Sequence, residues 1–153
     1  MSKKQKRTVG SIIEIQLEEG YFAYGQILRA GIAVFDLYVP EHLKDISLLN
    51  SATELFIVQV YDDAITNGRW LKIGKLSIRR GFEILPMKFI QDAINPESFQ
   101  LYDPNTGEII DAKKEDCIGL ECAAVWEAEH VESRIIDYYS GRPNIWVENL
   151  KIK

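Results

Sequence analysis

The stretch VGSIIEIQLEEGYFAYGQIL, residues 9–28, sets two apolar runs on either side of Glu18-Glu19-Gly20 and crowds three aromatic residues ahead of Gly25. Ile13, Ile15 and Leu17 alternate with Glu14, Gln16 and Glu18, the period-two pattern of a strand with one face in water. Glu19-Gly20 supplies the turn, since glycine takes the positive φ of a tight hairpin or its bulge at no steric cost. On the return strand Phe22, Tyr24 and Leu28 share one face, while Ala23, Gly25 and Ile27 share the other. Small residues at 23 and 25 let the strand bend, or let another segment come close. The stretch therefore reads as a curled hairpin with Phe22 and Tyr24 in the core and Glu14, Glu18 and Glu19 on an opposite, acidic side. The competing reading turns Tyr21-Phe22-Ala23-Tyr24-Gly25 outward as a binding surface.

Outward from the hairpin, further elements follow. Residues 33–39 are β-branched and aromatic, closed by Pro40, and residues 41–50 space Leu43, Ile46 and Leu49 for a short helical turn. LFIVQVY, residues 55–61, predicts a central strand buried on both faces. Residues 62–68 read as one helical turn stopped by Gly68, and residues 70–78 as a strand bulged at Gly74. Residues 82–94 show little periodicity and read as loop with short strands. The turn Asp103-Pro104-Asn105-Thr106-Gly107 between residues 99–102 and 108–110 marks a second hairpin. CAAVW, residues 122–126, reads as a short buried strand. Val131, Ile135 and Tyr138 recur at helical spacing, with Glu127 and Glu129 ahead of them and Gly141 and Pro143 behind, which predicts a helix over about 129–140. Residues 145–152 add an edge strand or return Trp146 to the core. The expected class is α+β: a mostly antiparallel β-sheet or small bent barrel, one C-terminal helix and short helical turns.

With 153 residues, 46% hydrophobic and 27% charged, the chain is expected to form a single globular domain over 8–153 behind a flexible basic tail, 1–7. No run is long enough to span a bilayer. The basic start lacks an apolar h-region, so no secretory signal is expected and the cytoplasm is the expected setting. Two cysteines cannot make the disulfide framework of a small secreted domain. A net charge of −5 with no basic stripe argues against nucleic acid as the partner.

Residues suited to catalysis are sparse. His42 and His130 are the two histidines. Cys117, Cys122 and His130, with Glu121 or Glu129, have the donor types for zinc but no standard zinc spacing; two buried thiols are the simpler reading, and no metal or cofactor is expected. There is no glycine-rich phosphate loop and no nucleophile elbow. Asp62-Asp63 reads as a helix cap more simply than as a general base or metal site. Trp70, Trp126 and Trp146 sit beside apolar residues as core, with interface anchoring as their competing role. The acidic groups Glu14/Glu18/Glu19, Asp62/Asp63 and Glu115/Asp116 are solvated faces that gain interest if the partner is basic.

The pattern from Gly10 to Leu28, G-x-I-x-E-I-x-L-x-x-G-x-x-A-Y-G-x-I-L, resembles the opening of the bacterial immunity protein 26 family. Two further blocks resemble it in order: Val60-Tyr61-Asp62-Asp63-Ala64 through Gly68-Arg69-Trp70 to Ile73-Gly74, and a series from Gly119-Leu120-Glu121 through Ala123-Ala124-Val125-Trp126 and Glu129-His130-Val131-Glu132 to Trp146-Val147. Residues 79–115 fit it least. The resemblance implies a mostly β protein, encoded beside a polymorphic toxin, that protects the producing cell by binding a cognate toxin domain. The acidic groups above are then its candidate toxin contacts, and no catalytic residue is implied. Some relatives carry a phosphotriesterase label, which makes a metal-dependent phosphoester hydrolase the alternative. The oligomeric state stays open.

Overall fold

The computed structural model describes residues 4–153. β1 (Ser11–Gln16), β2 (Phe22–Leu28), β3 (Gly31–Phe35) and β4 (Glu54–Val60) run as an antiparallel meander. After the short helix α1 (Asp63–Thr66), β5 (Leu71–Lys75) returns to pair with β1. β6 (Lys88–Gln91), β7 (Phe99–Tyr102) and β8 (Ile109–Ala112) form a separate three-stranded antiparallel sheet. α2 (Lys114–Cys117), β9 (Val125–Trp126), α3 (Ala128–Ser140) and α4 (Ile145–Asn149) follow. β9 lies parallel to β4, so the large sheet has the order β5-β1-β2-β3-β4-β9. It is open, with β5 and β9 at its edges, and does not close into a barrel. The α+β class, the antiparallel meander and the helix ahead of Gly141 are as the sequence predicts.

The main departure is in β1, whose expected wet face is covered at Glu14 and open only from Gln16 onward. On one side of the sheet Ile13, Ile15, Ala23, Ile27, Val34 and Val58 pack against Trp126, Val131 and Ile135. On the other, Ile12, Phe22, Tyr24, Leu28 and Phe35 are covered by Leu49, Phe82 and Leu85. The alternation of Ile13, Ile15 and Leu17 with polar residues identified one buried face; the chain covers the second with its own connections. Gly25 sits where strands crowd: a Cβ there would come within 3.0 Å of the Ala33 carbonyl oxygen and 3.2 Å of an Ile32 methyl.

Other differences are local. The turn expected in residues 41–50 is a 3₁₀ helix, Ile46–Ser51, entered through Asp45, whose carboxylate accepts from the Ser47 amide. In β5 the register passes from Ile12 opposite Gly74 to Ile13 opposite Lys72, so the extra residue of the bulge is Ile73. Only Val125 and Trp126 of CAAVW are in strand, and Val125 is exposed. The C-terminal segment makes a helix, α4, because Asn144 caps it by accepting from the amides of Trp146 and Val147. Trp146 packs onto the core below, as expected, and stacks on His130. Of the basic tail, residues 1–3 lie outside those described. Gln5 donates to the carbonyls of Ile65 and Trp70, and Arg7 donates to those of Leu28 and Gly31.

Residues 121–126 stitch the two sheets together. The Phe89 amide of β6 donates to the Glu121 carbonyl and the Ala123 amide to the Phe89 carbonyl, after which the chain moves over to β4. Lys88, buried, donates its ammonium to the Ile57 carbonyl of β4, and burial lowers its pKa. Arg134 of α3 holds Glu121 through two bonds of 3.0 and 2.8 Å and lies over the Phe56 ring.

α3 closes its face through Val131 and Ile135, both fully buried, and ends at Gly141 in the left-handed conformation at φ 70°. Ile135→Ala should therefore cost about 2–5 kcal/mol, read as a lower denaturation midpoint, whereas Ser140→Ala on the exposed last turn should stay within about 0.5 kcal/mol of the parent.

Candidate functional site

Glu14 is 8% exposed and lies opposite Tyr24, on the same face of the sheet. For Glu14, though not for the exposed Glu18, this corrects the expected acidic outer side, because the neighbouring strand supplies a partner that strand periodicity does not reveal. Its carboxylate accepts from the Tyr24 hydroxyl at 2.7 Å, and His42 Nδ1 sits 2.9 Å from both of its oxygens. The Tyr24 hydroxyl in turn accepts from the Leu43 amide at 2.9 Å. His42 rests on the Phe22 ring and has 71% of its side chain exposed. A Nδ1–H held on a carboxylate leaves Nε2 of the neutral ring as an acceptor. The result is a fixed imidazole at the surface, oriented by a buried acid. The sequence singled out all three residue types but not their meeting.

On the other face of the same strand end, Tyr21, Tyr38 and Tyr139 stack in order, with ring centroids 4.4 and 4.6 Å apart and interplanar angles of 8° and 12°. Tyr138 meets Tyr139 edge-on and is 55% exposed. The Tyr139 hydroxyl donates to Asp36 at 2.6 Å. The opening aromatic run thus divides: Phe22, Ala23 and Tyr24 are buried, and Tyr21 begins a ladder that caps the core.

The strand directions separate the predicted acids. Glu18, exposed, follows β1, while Asp62 and Asp63 follow β4; β1 and β4 run in opposite directions, so these groups lie at opposite ends of the sheet. Glu19 lies in the turn Glu18–Gly20, and its side chain is outside those described. Asp62 stands at the start of α1 but makes no side-chain cap; it pairs instead with Arg7 at 3.5 Å. Asp63 borders a polar cleft of about 300 Å³ with Asn67, Arg69, Glu127 and Glu129. Arg69 there is held by Glu132 at 2.8 and 3.0 Å, which raises its pKa, and the Trp70 indole also donates to Glu132. Glu115 and Asp116 are exposed in the first turn of α2, where Asp116 accepts from the Lys113 amide.

Cys117 and Cys122 line one cleft of about 440 Å³, together with Phe89, Trp126, Arg134 and Leu150. Burial raises both thiol pKa values, which keeps them protonated and weak as nucleophiles or ligands. His130, the third expected donor, stacks on Trp146 at 3.6 Å. Among the described residues, no three His, Cys, Asp or Glu side chains are grouped to hold a metal ion. No described helix is long and apolar enough to cross a membrane.

The architecture is thus an open α+β sheet with an aromatic, carboxylate-bearing end. The sequence profile of immunity protein 26 matches residues 8–100, more than half of the 153. The chain belongs to the immunity protein 26 family. No curated protein and no solved structure matches it. The matched span includes Glu14, Tyr24, His42, Tyr21, Asp36 and Tyr38; Tyr138, Tyr139, Glu115, Asp116 and the third block of resemblance lie beyond it.

Burial pushes the Tyr24 pKa up to about 12. The folded chain therefore keeps this phenol neutral after the unfolded chain has lost its proton near pH 10, so stability falls as pH rises through that window and is intact below it. Tyr24→Phe should remove this part of the alkaline loss in pH-dependent melting. At neutral pH it should cost about 1–3 kcal/mol, because the buried carboxylate loses a donor.

Proposed function

We propose that the protein binds a cognate bacterial toxin domain and neutralises it in the cytoplasm of the producing cell. Family membership over residues 8–100 is the observation that carries this reading. Inhibition is stoichiometric: the protein covers the toxin's active site or blocks the path of its substrate. An interface of about 800 Å² per partner is enough for a specific complex.

The test is co-expression with the toxin domain encoded by the gene immediately upstream. Growth should be restored, and the two chains should co-purify at a one-to-one ratio. Protection at substoichiometric levels, or turnover of a phosphoester that a chelator abolishes, would favour the hydrolase instead.

A further inference from the structure

The sheet end that carries the β1–β2 and β3–β4 connections brings the tyrosine ladder together with exposed carboxylates. Glu18 follows β1, Asp36 follows β3 and Glu54 opens β4 opposite Phe35; all three are exposed. Arg134 and Arg142, the cations bordering the cleft at Tyr138, are paired with Glu121 and Asp137. Lys44 follows His42 in the β3–β4 connection. The carboxylates thus outnumber the cations of this end, in keeping with a net charge of −5.

We propose that this end receives a cationic, arginine-bearing segment of the toxin, an inference that rests on the immunity reading above. Guanidinium groups bind over aromatic faces and pair with carboxylates through a planar fork. The chain already uses that chemistry internally, with Arg134 over Phe56 at 3.8 Å and Arg79 over Phe82 at 4.5 Å. Three parallel rings, one of them tied to Asp36, are fixed before any partner arrives, so little side-chain freedom is lost on contact. Tyr138 projects from the ladder as the most exposed ring, and tyrosine is a favoured anchor at interfaces. The exposed acids Glu18, Asp36 and Glu54 of this sheet end speed the approach of a basic partner and suppress acidic ones.

The experiment uses the full chain and the toxin domain from the upstream gene. Tyr138→Ala and Glu18→Lys are compared with Glu97→Lys, an exposed change in the β6–β7 connection of the other sheet. Melting temperatures establish folding, and association and dissociation rates are measured at several salt concentrations. Tyr138→Ala should weaken the complex about tenfold or more, mainly by faster dissociation. Glu18→Lys should slow association and flatten its dependence on salt, while Glu97→Lys should bind as the parent does. Should Tyr138→Ala fail to fold, Glu18→Lys still decides. Folded variants that bind like the parent, when the parent protects, would overturn this surface and leave the immunity reading standing. A parent chain that neither binds nor protects would remove the immunity reading and the surface with it.

Discussion

A carboxylate removed from water without partners costs several kcal/mol, and Glu14 sits in the middle of β1 with both faces of its sheet covered. Its partners come from two directions. Tyr24 stands directly across on β2, and His42 arrives from the connection between β3 and β4. To place His42, that connection must fold back across the sheet. The same path lays Leu43, Ile46 and Leu49 over Phe22 and Tyr24. Satisfying one buried charge and covering one apolar face are therefore a single structural event.

The opposite face is covered by a more ordinary device. α3 lays Val131 and Ile135 on it, and β9 brings Trp126 to the edge. The segment that places β9 also pairs with β6, so the smaller sheet is anchored by the chain that delivers the helix. Arg134 and Lys88 both reinforce that joint. Arg134 is held by Glu121, whereas Lys88 meets a backbone carbonyl, and its burial shifts its pKa towards the neutral form. Such a joint resists separation of the sheets without a large apolar interface between them.

Legibility in the sequence followed the range of the interaction. Gly20, Gly107 and Gly141 mark their turns locally, and each takes positive φ; the 129–140 stripe fixed α3 through spacing within one element. Glu14 was misread because alternation reports which residues share a face, not whether that face meets water or a tyrosine one strand away. The apolar pair Ile12-Ile13 ahead of it was the available sign of double burial. Asp62 has the sequence position of a cap, but Arg7 takes its carboxylate instead. The ladder was beyond reach, since Tyr21, Tyr38 and Tyr139 meet only once the sheet and α3 have packed. Tyr21 and Tyr38 read separately as a turn flank and a strand end, and Tyr139 follows Tyr138 of the helical stripe.

The two ends of the large sheet hold their charged groups in different ways. Glu18, Asp36 and Glu54 gather at one end, whereas Arg7, Arg29 and Lys75 lie at the other, around the β2–β3 turn and the end of β5. That end has acids of its own: Arg7 pairs with Asp62 and caps two carbonyls of the β2–β3 turn, and Asp63, Glu127 and Glu129 share a cleft with Arg69. At the end that carries the ladder Asp36 accepts from a neutral phenol, the Tyr139 hydroxyl, and none of the ion pairs among the described residues includes it. Exposed carboxylates at a sheet end attract an approaching cationic surface over about a Debye length, roughly 8–10 Å in physiological salt. Orientation set by the sheet's own connections needs no moving part: the rings and carboxylates that would meet the partner are held by the packing that folds the chain.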